Sequence, residues 1–450
     1  MTDVVVVGGG FTGLSAALAL SKNGVRVQLF EKEPEPGGLA GSFLAGNQYL
    51  EKFYHHWFTS DHYVYDLVRM LGSEDDIISR PGRTGMYYGN RFFKLAGPLD
   101  LLRFTPLSFI GRLRLGMLTL AARRVTDWRK LEDVTARDWL IGICGEEAYK
   151  VVWEPLLNGK FGEFANEVSA VWFWNKLKLR GGSRGKGGRE MLMYYRGGFA
   201  TLAGQIVDRI RKNGSEIHTS VSVDSLIVAD GRIVGVSTSR GSVECQRAVL
   251  TTPLPVAAEL LREHVSSAYH DSLLRIRYLS NICIVLELDR SLSSLYWVNV
   301  NDPSFPFVAV IEHTNFEPSE TYGGRHIVYL SKYLPPSSPL FLMADADAVR
   351  FGTAALRRMF PDITSSNILG AHVWRANYSQ PIVEKRYSSL IPSVHTELDG
   401  VFLSTMAQIY PEDRGTNYAI RSGFQVAQAV SVDLASAVSS SSSPSEPESQ

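Results

Sequence analysis

Cysteine is scarce in this chain: three in 450 residues, at positions 144, 245 and 283. No two share a CxxC spacing and an odd count is a poor disulfide framework, so neither a disulfide scaffold nor a cysteine-based zinc site is expected. A reducing compartment is the simpler expectation. A surplus of one charge is missing as well. Lysine plus arginine and aspartate plus glutamate each number 46, for a net charge of zero. No overall field selects for nucleic acid, and no such partner is expected. No uninterrupted apolar run reaches the length of a membrane-spanning helix. Three residues precede the first apolar run, with neither a basic nor a hydrophobic leader region, so no signal peptide and a cytoplasmic location are expected. Neither an internal repeat nor a metal-ligand spacing is visible.

What is present begins at once. Residues 4–7 are Val-Val-Val-Val, a β-branched run that suits a strand buried on both faces of a parallel sheet. Residues 13–22 read as a small-residue helix stopped by Asn23-Gly24, and residues 25–30 alternate as a second strand. Strand, helix and strand within about thirty residues make a βαβ unit. Further helices are expected over 61–72, 199–213, 345–359 and 415–435, and a largely helical, tryptophan-rich stretch over 146–180. Short strands are expected near 216–221, 226–229, 232–238, 243–250 and 401–405, with a hairpin turn at Asp230-Gly231, and strands dominate 278–333. Residues 180–189 make a basic glycine-rich loop carrying Arg180, Arg184, Lys186 and Arg189, which reads as a mobile lid or as a seat for an anionic substrate group. The Ser/Pro/Glu-rich tail over 439–450 is expected to be disordered.

The first strand runs into Gly8-Gly9-Gly10-Phe11-Thr12-Gly13, a G-x-G-x-x-G pattern. Gly8 permits the tight turn, Gly10 lets the backbone approach a pyrophosphate, and Gly13 lets the helix sit close to the strand. The helix N-terminus then offers Phe11 and Thr12 with free N–H groups and the positive end of the dipole. Alone the pattern is weak. Here it follows a strand, opens a helix and is succeeded by Glu31 at the end of the second strand, with Lys32 beside it. A carboxylate at that place accepts from ribose hydroxyls and disfavours a 2′-phosphate. A second glycine pair, Gly37-Gly38, then precedes Leu39-Ala40-Gly41-Ser42-Phe43, and a nicotinamide-only Rossmann domain has no need of it.

At this point the chain resembles the superfamily of FAD-dependent amine oxidases, phytoene desaturases and protoporphyrinogen oxidases. Its opening signature runs G-x-G-x-x-G, Glu, about five residues, then Gly-Gly. The resemblance implies that Glu31 holds the adenosine ribose and that Gly37-Gly38 pass near the FAD diphosphate and flavin. It implies an α/β fold, a Rossmann-type FAD-binding domain assembled from 1–50, 195–262 and 395–435. A substrate domain of mixed sheet and helices, an α+β insert from 51–194 and 263–394, is interleaved with it. Arg196-Gly197-Gly198-Phe199 with Leu202 looks like the family's G-G-x-x-x-L segment, and Val223 stands where the family contacts adenine. Residues 248–253, with Thr251, resemble the strand returning to the nucleotide domain. Residues 400–423 resemble the C-terminal flavin segment, where the helix beginning near Gly415 and Thr416 would aim its N-terminus at the flavin pyrimidine. Two departures stand out. Leu39 replaces the arginine that often follows the second glycine pair. Met406 replaces an aspartate that contacts the ribityl chain, and Asp413 could substitute only if the loop folds back. FAD is expected to be held non-covalently.

Flavin chemistry asks the protein mainly for position, shielding and electrostatics, so catalytic side chains are harder to read. Three stretches are candidates. In Lys52-Phe53-Tyr54-His55-His56-Trp57-Phe58, strand alternation would let only one of His55 and His56 face the site; either could instead be a packed core histidine. In Trp153-Glu154-Pro155-Leu156-Leu157-Asn158-Gly159-Lys160, Lys160 is either a desolvated amine or a lysine that reaches the surface. The polar run Tyr410-Pro411-Glu412-Asp413-Arg414-Gly415-Thr416 places Tyr410 and Asp413 where the family approaches its flavin.

The function these readings favour is FAD-dependent oxidation or desaturation of a small apolar or lipid-like substrate, an isoprenoid among the candidates. The alternatives are a flavin enzyme without net redox, resembling UDP-galactopyranose mutase, and an FAD-stabilised protein without catalysis. Residues 95–125 interleave long apolar residues with five arginines and one acid, Asp100. That composition suits either an interfacial helix lying on anionic lipid or helices packed into the substrate domain.

Overall fold

Val4, Val5 and Val6 are wholly buried. Consecutive buried positions need cover on both faces, which a parallel sheet between helical layers supplies. The computed structural model, which describes residues 2–95, 97–182 and 190–441, places strand Thr2–Val7 in that position. It runs parallel to Val27–Phe30 on one side and to the end of Gly241–Leu250 on the other. Glu216–His218 and Val401–Leu403 extend this parallel sheet at either side. The beginning of Gly241–Leu250 turns into an antiparallel meander with Arg232–Thr238 and Val223–Ala229. Its hairpin uses Asp230 and Gly231, both at positive φ, as the Asp-Gly signal predicts.

Helix Phe11–Lys22 connects the first two strands and is buried along nearly its whole length. Helix Thr416–Ser441, from the other end of the chain, packs on it. The crossing depends on Gly423, where a Cβ would lie 2.4 Å from the Thr12 carbonyl oxygen. The expected helix over 415–435 therefore continues to Ser441; residues 442–450 of the Ser/Pro/Glu tail lie outside the described residues.

A second sheet runs in the order Ile368–Pro381, Tyr278–Leu288, His326–Leu334, Ala309–Glu312, Trp297–Val300, Thr84–Tyr88, Arg91–Lys94. Its second strand is buried along nearly its whole length because both faces are covered. Ile282, Ile284, Leu286 and Leu288 pack toward Ala348, Ala355, Leu356 and Met359 of helix Asp345–Met359. Cys283 and Val285 face the core that continues into the nucleotide layer. The expected helical stretch over 146–180 is broken into Ala136–Ala148, a π-turn Tyr149–Trp153, Glu154–Phe161 and Ala170–Gly182. Gly162, at φ 55°, ends the third of these.

Glu51 ties the two layers together. It ends strand Gln48–Glu51 and is 1% exposed. Its carboxylate accepts the Phe199 N–H at 2.8 Å and the Tyr194 hydroxyl at 2.7 Å. Phe199 lies in the first turn of helix Gly198–Lys212, so a remote carboxylate caps that helix. Burial pushes the Glu51 pKa up to about 7, against the lowering effect of those hydrogen bonds. A carboxyl whose folded pKa is raised contributes stability that is complete below its unfolded pKa and lost as pH rises through the folded value. Between about pH 4.5 and 7 this group should therefore cost the fold on the order of 3 kcal/mol. Glu51→Gln keeps an acceptor oxygen for both donors, and its urea midpoint should vary less over this pH range than that of the parent. Parallel pH profiles for the two proteins would show that Glu51 does not titrate there.

Candidate flavin site and cavity

The nucleotide end is built from backbone. Helix Phe11–Lys22 begins with no side-chain cap and no acid in its first turn, which leaves its N–H groups and dipole available to an anion. Gly10 forms a bridge with Gly37, and a Cβ on Gly10 would meet only Gly38 Cα, at 3.9 Å. The two glycine segments thus lie side by side with open space above Gly10. Glu31, 7% exposed, accepts from Gly9 N at 2.6 Å and Glu33 N at 2.9 Å. Two amides leave lone pairs of this carboxylate available to hydroxyls. An uncapped helix start, a glycine cradle and a buried carboxylate at the strand end fit the diphosphate and ribose of FAD. Residues 218–221 run beside them, with His218 O accepting from Glu31 N and the His218 ring stacked on Phe30.

From Leu39 a cavity of about 340 Å³ opens between the two layers. One wall is Phe53–Phe58; another is Trp153, Leu157, Lys160, Trp172 and Phe173; the second sheet adds Trp297 and Tyr333. Gly415, Thr416 and Asn417, at the start of the last helix, complete it. Trp57 Nε1 donates to Thr416 Oγ1 at 2.6 Å, which fixes the helix start against the wall. The cavity therefore touches both segments expected to flank a flavin.

His55 and His56 both line it. Residues 52–56 are bends and loop rather than strand, so alternation of faces does not apply. His55 Nδ1 lies 2.5 Å from the Phe53 carbonyl, and a carbonyl only accepts, so Nδ1 carries the proton. Burial lowers its pKa to about 4, helped by Arg414, so the ring is neutral at pH 7 with Nε2 as an acceptor. His56 Nδ1 pairs with the Tyr296 hydroxyl at 2.9 Å.

The charged side chains cluster at the Gly415 end. Asp413 Oδ2 is 2.6 Å from Lys176 Nζ and 3.3 Å from Lys160 Nζ. Burial alone would raise the Asp413 pKa, but Lys160, Lys176 and Arg414 together hold it well below the usual carboxylate range. Arg414 donates to the Tyr333 hydroxyl at 2.8 Å and to Gln380 Oε1 at 3.1 Å. Asp61, another lining residue, accepts from Phe58 N at 2.9 Å, and burial pushes its pKa up to about 6.

Residues 11–431 match the family described as flavin containing amine oxidoreductase. The chain belongs to that family. The family is flavin-containing, and the chain combines a Rossmann-type nucleotide layer with a second layer built on the other sheet. It is 26% identical to amine oxidase [flavin-containing] B of Sus scrofa over 232 residues, 46% of this chain and 42% of that protein. It is 25% identical to the chloroplastic/chromoplastic zeta-carotene desaturase of Zea mays over 177 residues, 34% of this chain and 31% of that protein. The matches thus span less than half the length of these curated relatives. An oxidoreductase from Methanosarcina mazei shares the fold with a TM-score of 0.74 at 18% identity, covering 95% of this chain and all of that one.

Within this flavin-containing family member the expected site residues fall into three groups. Gly8, Gly10, Gly13, Glu31, Gly37 and Gly38 come together at the uncapped helix start, while Leu39, His55, His56, Lys160, Asp413, Gly415 and Thr416 line the cavity. Others are spent elsewhere. The Phe11 ring is core, edge-on to Phe199, and Thr12 is buried, so only their backbone can meet a ligand. Thr251 Oγ1 donates to Val7 O and Gly8 O, locking the turn. Val223 is half-buried at the start of its strand, Lys32 is exposed and Met406 is half-buried. Tyr410 does not line the cavity. Its hydroxyl donates to Glu132 at 2.8 Å and its ring packs on Trp128 and Tyr387, which removes it from the catalytic candidates. Asp413 engages Lys160 and Lys176 through Oδ2, while its Oδ1 is buried without a partner. Lys160 is accordingly neither a lone desolvated amine nor a surface lysine. Of the basic loop, residues 183–189 lie outside the described residues. Sequence reasoning missed Lys176, Arg414 and Asp61. Arg414 adjoins a marked residue, but nothing in the spacing of Lys176 or Asp61 links either to position 413.

Proposed function

We propose that the chain oxidises a small apolar or lipid-like substrate, an isoprenoid being one chemical class that fits, and that the substrate binds in the cavity between the two layers. FAD, when bound, accepts the hydride. The observation that carries the reading is the wall itself: rings of Phe53, Tyr54, Trp57, Trp153, Trp172, Phe173 and Trp297, with Leu39 and Leu157, next to the segments that fit the cofactor. Such a surface orients an apolar chain and excludes water from the reacting carbon. The likeness to a zeta-carotene desaturase supports an apolar substrate; the likeness to amine oxidase B supports oxidation without fixing the substrate. His55, neutral with Nε2 as acceptor, is suited to orient a substrate donor rather than to carry positive charge. The test is anaerobic titration of the purified yellow protein with fractionated lipid extracts. Bleaching of the flavin by an apolar fraction is the expected result, and a flavin that no lipid fraction reduces would overturn the proposal.

Contact with a lipid surface belongs to the same reading. Helix Phe109–Arg124 turns Gly111, Leu115, Leu118 and Ala122 inward. Its other face holds Phe109, Ile110, Leu113, Met117 and Leu120, each at least 50% exposed, and Leu99 and Leu102 lie exposed just before it. Packing into the substrate domain thus covers only one face. Arg114 does not interrupt the exposed stripe, since its guanidinium lies over Gly145. Arg112 donates to the Leu102 and Leu107 carbonyls. Arg103, Arg123 and Arg124 remain exposed around the apolar residues, an arrangement that suits anionic headgroups. The wild-type protein should co-sediment with phosphatidylserine-containing vesicles at low salt. An Ile110/Leu113/Met117/Leu120→Ser variant should bind at least roughly tenfold more weakly, since each apolar side chain loses about 1.5–3 kcal/mol of burial when fully inserted. Equal recovery of both proteins in the supernatant would rule the contact out.

A further inference from the structure

Aromatic walls ordinarily attract ammonium groups through their ring faces. At one end of this cavity the faces of Trp172 and Tyr333 already carry the protein's own cations. Lys160 Nζ lies 4.9 Å from the Trp172 ring centre, 5.5 Å from that of Tyr333 and 5.9 Å from that of Phe161. Lys176 Nζ lies 5.8 Å from Trp172, and the Arg414 guanidinium 5.7 Å from Tyr333. Three cations therefore meet at one end of the cavity. The carboxylates beside them are Asp413, which engages both lysines through one oxygen, and Asp61. The remaining acid of the lining, Glu190, accepts from Thr84 Oγ1. The Trp172 indole N–H at this end is buried without an acceptor.

We propose that this end of the cavity seats an anionic substrate group, a carboxylate or phosphate, and that the cavity rejects protonated amines. The inference rests on the cavity being the substrate site. A charge inside an apolar, partly enclosed space is screened far less than in water, so a cationic excess there discriminates strongly by sign. An anion gains charge-assisted hydrogen bonds from Lys160, Lys176 and Arg414 and supplies an acceptor for the indole. An alkylammonium at this end finds the faces of Trp172 and Tyr333 taken and like charges beside them. A lipid with an acidic head and a nucleotide-linked substrate present the same phosphate chemistry.

The test uses the FAD-loaded protein and one chain length with four heads: octyl phosphate, octanoate, octanol and octylamine. UDP and UDP-glucose form a second arm. Perturbation of the flavin spectrum, checked by calorimetry, gives the affinities without requiring turnover. Failure here is thus distinct from failure to find an oxidisable lipid. Octyl phosphate and octanoate should bind at least roughly tenfold more tightly than octanol, and octylamine more weakly still, since hydrogen bonds to charged groups are stronger than those to neutral ones. Tighter binding of octyl phosphate than of UDP identifies a lipid source, and the reverse order a nucleotide-linked one; both support an anion seat. Lys176→Met should weaken octyl phosphate roughly tenfold and leave octanol unchanged, flavin content serving as the control for folding. Octylamine binding as tightly as octanoate, or no binding by any of the anions, would overturn the inference.

Discussion

Gly13→Ala should yield a protein without bound flavin. A Cβ at this position would lie 2.0 Å from the Gly8 carbonyl oxygen and 2.9 Å from Thr251 Oγ1. The first contact is with backbone, so no rotamer change relieves it. The Gly8 carbonyl accepts from Thr251, and Thr251 also holds the Val7 carbonyl. Moving Gly8 therefore disturbs the strand end, the turn and the helix start together, and these are the groups that fit a diphosphate. Helix propensity alone would favour alanine by about 1 kcal/mol, but a methyl group at 2.0 Å from an oxygen overwhelms that gain. Flavin absorbance of the purified variant, compared with wild type at equal protein concentration, decides the matter. A fully yellow Gly13→Ala protein would show that helix and strand can separate without loss of the site.

Asp413→Ala should destabilise the fold by about 3–5 kcal/mol, the cost of breaking a buried ion pair by removing one partner. Asp413 is 5% exposed and sits among Lys160, Lys176 and Arg414. Removing it takes one carboxylate from among three cations. It joins helix Glu154–Phe161, helix Ala170–Gly182 and the loop before the last helix. Thermal unfolding by circular dichroism should register the loss, and added octyl phosphate should restore part of it if an anion can take the place of the carboxylate. A variant as stable as wild type, with or without an anion, would mean the lysines find other partners at no cost.

Much of the nucleotide half is written locally. Val4 to Val7, the three spaced glycines, Glu31 and the Gly37-Gly38 pair lie within 38 residues, and each acts through the backbone conformation it permits or the strand end it occupies. Asp230-Gly231 is legible for the same reason. The cavity is different. Lys160 and Asp413 are 253 positions apart, and Trp57 and Thr416 are 359 apart. No periodicity reports such meetings. Tyr410 illustrates the limit: it stands three residues from Asp413 yet points to Glu132, because the loop turns between them.

The stripe on helix Phe109–Arg124 divides the question cleanly. Its apolar residues and arginines could be read from the chain, but both faces of the helix are rich in leucine, so composition left open which face was covered. Only packing decided it, by turning Leu115 and Leu118 inward and leaving Leu113, Met117 and Leu120 outside. By itself the sequence determined the flavin-binding fold and its glycine cradle, because backbone sterics and strand and helix periods act over short distances. The tertiary structure decided which charged side chains meet in the cavity and which helix face is turned to solvent, because both depend on contacts between segments far apart in the chain.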